Sequence, residues 1–208
     1  MPGARDNWQL MARRADPGPE RRPELATDRL RLWVAGPEEA EELLRHHVEN
    51  REHLARWAPP APADVYTLAY WQSRGSIARR DCLDGHAVRF AIAWNSEPGR
   101  VIGTCSFTEI VRGPVQSCQL GYGLDQREQG KGVMTEALQR AIAFAFGPLA
   151  MHRITATYMP ANTRSGKLLE RLGFAVEGCA RASLFIDGAW RDHVLAALIN
   201  PRPIAPQP

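Results

Sequence analysis

A glycine-rich, charged segment lies between two apolar patterns in the middle of the chain. Residues 117–124 (SCQLGYGL) predict a strand, and residues 133–146 predict an apolar helix. Between them, Gly130 and Gly132 flank Lys131. The amide groups in the first turn of a helix have no acceptor within that helix, and glycines leave room for a phosphate to approach them. The segment therefore predicts an anion-binding loop, to which Arg127 and Lys131 add positive charge.

Two well-known phosphate loops do not match this segment. The P-loop pattern needs a glycine five residues before Gly130, where the chain has Asp125, and a serine or threonine where it has Gly132. The dinucleotide fingerprint needs a third glycine where the chain has Thr135. Both are excluded. What remains is the spacing R-x-x-G-x-G, which on its own is also compatible with a strand-to-helix turn that binds nothing.

Composition places the chain among ordinary globular proteins of one domain. It has 208 residues, 44% hydrophobic and 24% charged, with a net charge of +3. This charge is too small to predict nucleic-acid binding. No run of 18 apolar residues predicts a membrane span, and the first residues lack the apolar core of a secretion signal. We therefore expect a cytoplasmic protein with a flexible arm over 1–24, a domain over 25–200 and a proline-rich tail over 201–208.

Alternating and helical apolar patterns predict a mixed α/β domain with a mostly antiparallel sheet and helical crossovers. Asp187-Gly188 predicts the turn of a closing hairpin. The predicted strands are 30–35, 88–95, 100–111, 117–124, 152–159, 174–186 and 189–199, and the predicted helices are 37–50, 51–58, 63–83, 133–146 and 162–173.

The cysteines and histidines do not predict a metal site. The four cysteines, Cys82, Cys105, Cys118 and Cys179, are widely spaced, and we expect them to be small buried side chains in strands. His46 and His47 lie in a predicted helix with no further ligands nearby, so we expect solvated side chains. Trp57 and Trp71 could line a peptide groove or pack in the core.

The motif and its context resemble the GNAT N-acetyltransferases, whose pyrophosphate loop has the pattern R-x-x-G-x-G. Gly121 and Gly123 in the preceding strand, Asn162 before the next helix and the segment LLERLGF fit the same family. Over residues 25–200, TDRLRL, LGYGLDQREQGKGVMTEAL, HRITATYMPANTRSGKLLERLGF and IDGAWRDHVLAAL look like the RimJ-type ribosomal-protein alanine acetyltransferases. The resemblance implies the GNAT fold, with helices on both faces of the sheet, and acetyl-CoA as co-substrate.

The resemblance also implies functional positions. Ser165 is expected to protonate the leaving thiolate, with Tyr158 as a second candidate, and a backbone N–H near Tyr122–Leu124 to stabilise the oxyanion. Relatives with a glutamate base in the last hairpin would place it near Leu184, and leucine cannot accept a proton. The acetyl-CoA contacts implied are Tyr122, Gly123, Leu124, Arg127, Gln129, Gly130, Lys131, Gly132, Val133, Met134, Asn162 and Ser165.

The general base is left open by the sequence. Glu109 is the best remaining acid by position, with a solvated strand-end carboxylate as the competing interpretation. Asp187 is expected to form the turn. Our hypothesis is direct attack by the amine with deprotonation relayed by water.

The acceptor expected from the resemblance is the N-terminal α-amine, on alanine, of a small-subunit ribosomal protein. Two alternatives remain open. One is a small-molecule amine acetyltransferase that modifies an antibiotic or a polyamine, since fold does not fix the acceptor. The other is a sensor that binds acetyl-CoA without turnover.

Overall fold

The computed structural model describes residues 22–202 and 204–205, so most of the predicted arm and part of the predicted tail lie outside the described residues. The strands in these ranges are β1 (Glu24–Ala26), β2 (Leu30–Val34), β3 (Val88–Trp94), β4 (Gly103–Val111), β5 (Ser117–Leu124), β6 (Arg153–Tyr158), β7 (Ala175–Ile186) and β8 (Ala189–Ile199). The helices are α1 (Ala40–Glu49), α2 (Arg51–Ala55), α3 (Leu68–Leu83), α4 (Val133–Phe146) and α5 (Thr163–Arg171), with short 3-10 turns at Pro37–Glu39 and Gln126–Glu128.

The strands form one sheet in the order β1-β2-β3-β4-β5-β6-β8-β7. All neighbouring pairs are antiparallel except β5 and β6, which run parallel. A parallel pair needs a crossover, and here the crossover contains α4. The predicted fold class, a mixed and mostly antiparallel α/β domain, is confirmed.

The sheet buries side chains on both faces because its strands alternate. In β2, Leu32 and Val34 join the larger core, which α4 covers, while Trp33 joins a smaller core on the opposite face. Leu43 of α1 and Trp71 of α3 pack on that second core. Helices therefore cover both faces of the sheet, as predicted. No helix in the described ranges is long and apolar enough to cross a bilayer.

Several element boundaries differ from the sequence prediction. Strand β1 was not predicted, because three residues are too few to show an alternating pattern. The helix predicted over 37–50 begins as a 3-10 turn, and the one predicted over 63–83 starts only at Leu68, where Thr67 caps it by accepting from the Tyr70 N–H at 3.2 Å.

The expectations for cysteine and histidine were only partly right. Cys105 and Cys118 are buried in strands, and burial raises the pKa of each thiol to about 12. Cys82, however, is half-buried on α3 and Cys179 is exposed on β7, so these two predictions were wrong. The predicted solvation of His46 was also wrong: the residue is buried, because it lies on the same face of the helix as Leu43, which packs in the second core.

Candidate active site

Strands β5 and β6 separate partway along their length and leave a gap in the sheet. They pair only where Ser117–Gln119 lies opposite Arg153–Thr155. Beyond this point β6 continues in pairing with β8, whereas the edge of β5 from Leu120 to Leu124 has no β6 partner. An open cleft of about 1340 Å³ occupies the gap and extends to the glycine loop at one end and to Leu184 and His193 of the hairpin at the other.

The unpaired edge of β5 presents backbone groups to this cleft. The Asp125 N–H donates to the Ile102 carbonyl on the β4 side at 2.8 Å. Because backbone groups alternate in direction along a strand, the N–H and C=O of Leu124 and Tyr122 point to the opposite side, towards β6. The Cys118 carbonyl follows the same alternation and accepts from the hydroxyl of Thr155 at 3.2 Å. The cleft therefore has hydrogen-bonding groups suited to an extended amide-containing ligand.

The glycine loop turns sharply before α4. Gly130 and Gly132 have φ angles of 77° and 76°, a region that side chains with a Cβ rarely adopt. Gly132 is also the N-cap of α4, so Val133 and Met134 begin the helix and their amides lie in its first turn. Asp125 fixes the start of the loop by accepting from the Arg127 N–H at 2.9 Å. The loop therefore has the glycine conformations and first-turn amides expected of an anion site, and anion binding itself stays a prediction.

The two cations of the loop are held by acids rather than aimed freely at a ligand. Lys131 Nζ lies 2.9 Å from Glu128 Oε2, and exposed Arg127 lies 3.4 Å from Glu49 on α1. Arg29, which the sequence analysis did not single out, donates to the Lys131 carbonyl at 3.4 Å and to Glu136 of α4. These exposed contacts contribute little stability individually, but together they fix the loop against the first turn of α4.

Gln129 spans the mouth of the cleft. Its Oε1 accepts from Arg164 of α5, so its Nε2 donates to Nε2 of His53 on α2 at 2.8 Å. Burial lowers the pKa of His53, and the positive charge of Arg164 lowers it further. This bridge links the loop to helices on both sides of the gap.

The side chains of Tyr122 and Ser165 meet inside the cleft. Tyr122 Oη lies 2.6 Å from Ser165 Oγ. Burial raises the pKa of Tyr122, an effect that the hydrogen bond with Ser165 partly opposes. The phenol is therefore protonated near neutral pH and can donate to Ser165, which leaves the serine proton available to a group in the cleft.

Asn162 and Tyr158, which were also predicted as site residues, contact the turn of α5 that carries Ser165. The Asn162 side chain accepts from the Ser165 N–H at 3.2 Å and so caps α5. Tyr158 lines the cleft, and its ring lies so close to Gly166 that a Cβ there would be 2.9 Å from Tyr158 Cε2. Gly166 thus allows Tyr158 to pack on the first turn of α5.

Glu109 does not reach this site. It occupies a β-bulge between Thr108 and Val111 with a φ of 50°, is exposed, and does not line the cleft. The bulge rotates its side chain away while Thr108 remains at the cleft wall. The two tryptophans that could line a groove or pack in the core differ. Trp57 is 38% exposed and lines the cleft, whereas Trp71 packs on the second core.

The closing hairpin forms the far wall of the cleft. Asp187 and Gly188 both have positive φ, as their predicted two-residue turn requires. The register shifts between Ala180 and Leu184, where Asp192 accepts from the Ala182 N–H at 2.8 Å. His193, which the sequence analysis did not single out, follows directly and lines the cleft beside Leu184. Its only sequence signal is its position after the Asp-Gly turn.

Comparison with known proteins identifies this architecture as that of an acetyltransferase. The family described as Acetyltransferase (GNAT) domain matches residues 29–175. The chain is 41% identical over 177 residues to the [ribosomal protein uS5]-alanine N-acetyltransferase of Escherichia coli K12, covering 85% of this chain and 91% of that protein. The chain belongs to the GNAT acetyltransferase family.

Two solved structures have the same fold. The ribosomal-protein-S5-alanine acetyltransferase of Vibrio fischeri superposes with a TM-score of 0.83 at 33% identity, covering 87% of this chain and 100% of that one. RimJ of Mycobacterium smegmatis, in complex with CoA-disulfide, gives a TM-score of 0.79 at 28% identity, covering 89% and 91% respectively.

Acetyl-CoA is the co-substrate of this family, and the residues of the cleft fit it. The loop with two left-handed glycines provides the first-turn amides of α4 for a pyrophosphate. The open edge of β5 offers amide partners for an extended arm, and the cleft is about 1340 Å³ in volume. Basic side chains that suit the remaining phosphate also line it, namely Arg56, Arg164, Lys167 and Arg171.

Proposed function

We propose that the chain transfers an acetyl group from acetyl-CoA to the N-terminal α-amine, on alanine, of a small-subunit ribosomal protein. The observation that carries the proposal is the 41% identity, across 91% of its length, with the Escherichia coli enzyme that acts on the alanine of ribosomal protein uS5. The proposal implies work in the cytoplasm, where ribosomal proteins are made.

The lining of the cleft includes groups that suit both substrates. The glycine loop and α5 line the part that would hold the nucleotide, and the exposed side chains of Trp57 and Leu184 also line the cleft. A protein N-terminus is narrow and flexible, and it can enter such a cleft without the rest of its domain. The two exposed apolar side chains would contact the first residues of the acceptor.

The chemistry asked of the protein is modest. An α-amine has a pKa of about 7.7–8.0, so a sizeable fraction is neutral at physiological pH, whereas a lysine side chain near 10.4 is almost fully charged. Acetyl-CoA supplies the activated acyl group when bound. The N–H of Tyr122 or Leu124 would donate to the acyl oxygen as it gains negative charge. Ser165, backed by Tyr122, would return a proton to the thiolate.

The test is acetylation of matched peptides followed by mass spectrometry. The protein is incubated with acetyl-CoA and an alanine-starting peptide from the ribosomal protein, the same peptide with a formylated α-amine, and a third that starts with serine. We expect one acetyl group on the free alanine peptide, none on the formylated one and slower transfer to serine. Acetylation of the formylated peptide would indicate a lysine acceptor. Acetyl-CoA binding without any peptide product would favour a small-molecule acceptor or a sensor.

A further inference from the structure

The attacking amine must lose a proton, and the cleft offers few groups to accept it. Among the described residues that line the cleft, Glu128 alone has a carboxylate. That carboxylate is already bonded to Lys131 at 2.9 Å and to the indole N–H of Trp94 at 3.2 Å. It also lies in the loop that suits the pyrophosphate. A carboxylate base is therefore not available within the described cleft wall.

Two histidines line the cleft, and they differ in which ring nitrogen is occupied. Nε2 of His53 accepts from Gln129 at 2.8 Å, so the lone pair of that ring is already used. His193 has the opposite arrangement. Its Nδ1 lies 3.2 Å from the Arg191 carbonyl and 3.1 Å from Ser183 Oγ. Since a carbonyl only accepts, Nδ1 carries the proton, and the lone pair of the neutral ring is on Nε2.

His193 and Ser165 lie on different faces of the sheet. Val194 lies opposite Tyr158 in the pairing of β8 with β6, so both project on the face covered by α4 and α5. Neighbouring residues of a strand project on opposite faces, so His193 lies on the other face. Leu54 borders the cleft on this face, since its Cδ2 lies 3.4 Å from where a Cβ on Gly123 would project, in the direction opposite to the side chain of Tyr122. His193 and Ser165 therefore stand on opposite sides of the gap.

The position of His193 is also fixed. The residue is 4% exposed, and both partners of Nδ1 belong to the hairpin. Asp192, one residue earlier, holds the bulge of β7 through the Ala182 N–H. A histidine whose Nδ1–H is bonded to a carbonyl has a defined tautomer and ring orientation, which is the arrangement that proton transfer through Nε2 requires.

We propose that Nε2 of His193 accepts the proton of the attacking amine, directly or through one water. The inference rests on the proposed function. The amine nitrogen forms a bond to the acyl carbon, and its proton passes to Nε2. The carbon–sulfur bond breaks, and the thiolate takes a proton from the Ser165–Tyr122 pair. His193 then releases its proton to solvent and the pair regains one, so no other reactant is needed.

The first test measures the tautomer without turnover. In a ¹⁵N spectrum of histidine-labelled protein, assigned by comparison with His193→Asn, we expect the ring of His193 to be protonated at Nδ1 and bare at Nε2 at pH 8. A ring protonated at Nε2 would overturn the proposal, because that nitrogen could not accept a proton.

The second test measures the reaction in His193→Asn. The asparagine amide can replace the Nδ1–H donor to Arg191 and Ser183, but it has no group at the position of Nε2. We expect kcat/KM for the peptide to fall about a hundredfold, with acetyl-CoA affinity within threefold of the wild type. The matched control is His152→Asn, which changes an exposed histidine outside the cleft and should leave activity unchanged.

A third measurement separates this proposal from the choice of acceptor. Thiol release from acetyl-CoA is followed with no peptide present, when water is the only acceptor and must also lose a proton. We expect His193→Asn to slow this release about tenfold or more. The wild type could fail to acetylate the peptide while His193→Asn still releases thiol more slowly than the wild type. That result would contradict the proposed acceptor and support His193 as the base. Wild-type rates of release and transfer in the variant would overturn the role of His193.

Discussion

The two faces of the gap between β5 and β6 are built in different ways. On the face of α4 and α5, hydroxyl groups meet directly: Tyr122 lies 2.6 Å from Ser165 and Tyr158 packs on the same helix turn. On the opposite face, the polar groups are imidazoles held by separate elements, His53 by the loop and His193 by the hairpin. The first face suits donation of a proton, and of the two cleft histidines it is His193 that has a ring nitrogen left to accept one.

The difference follows from what each half-reaction needs. In the proposed mechanism the thiolate is protonated by a hydroxyl that still carries its proton, and burial, which raises the pKa of Tyr122, keeps that phenol protonated. An amine is deprotonated by a group that is neutral near pH 7, and an imidazole meets that need.

The largest effect is expected on the hydroxyl face. Ser165→Ala removes the proposed proton donor to the thiolate and should lower kcat about a thousandfold, whereas Tyr122→Phe leaves the serine in place and should lower it about tenfold. Acetyl-CoA affinity, measured by calorimetry, should change less than threefold in both. Equal losses in the two variants would mean that the tyrosine, not the serine, supplies the proton.

The sequence predicted the hydroxyl face better than the imidazole face. Ser165, Tyr158 and Asn162 lie in one segment that follows β6, so a short motif brings them together. His193 reaches the cleft through a bulge of the hairpin, and His53 lies far earlier in the chain. The two histidines line one cleft only because strands far apart in the sequence pair, and no local sequence pattern predicts that pairing. Glu109, offered as the best remaining acid beside the interpretation as a solvated carboxylate, is exposed and does not line the cleft, because it lies in a bulge that no local pattern predicts.

The fold itself was largely predictable because most of its elements have strong local signals. Strand β2 alternates, α4 is apolar on most faces, and Asp187-Gly188 forms the expected turn. The burial of His46 was not predictable, because charged neighbours in α1 suggested an exposed helix. Which face of a short polar helix turns inward is decided by the sheet beneath it.

His46 sharpens the comparison because it is a buried histidine that does not line the cleft. It is 3% exposed, and its carbonyl accepts from Asn50, whose Oδ1 in turn accepts from the Gln126 N–H at 3.0 Å. Burial lowers the pKa of His46 to about 4, opposed by Asp125 and reinforced by the charges of His47 and Arg45. The unfolded chain, with a pKa near 6.5, therefore binds this proton more readily than the folded protein.

The sign of the resulting pH dependence follows from this difference. The contribution of His46 to the free energy of unfolding is fully present above pH 6.5. It is lost as the pH falls from 6.5 to 4, and the loss amounts to about 3 kcal/mol. We expect the free energy of unfolding of His46→Gln, measured with urea, to fall less over this pH range than that of the wild type. The control is exposed His86→Gln, which should keep the wild-type slope. A slope unchanged in His46→Gln would mean that another group dominates.

The smallest of these effects concerns the loop shared by both faces. Gly132→Ala places a Cβ at a φ of 76° and near the first-turn amides of α4, so it should weaken acetyl-CoA binding about tenfold through backbone strain and crowding. Gly99→Ala is the matched control, since its φ is not in the left-handed region and a Cβ there meets open space.

Binding of acetyl-CoA to the Gly132→Ala variant also tests whether the two faces depend on the loop equally. Once the cleft is saturated with acetyl-CoA, kcat should return to within about threefold of the wild type, because a Cβ on Gly132 would lie near Arg29 and not near Ser165 or His193. A kcat that stays low at saturation would mean that the loop also positions the reacting groups, with Gln129 and its bond to His53 as the connecting path.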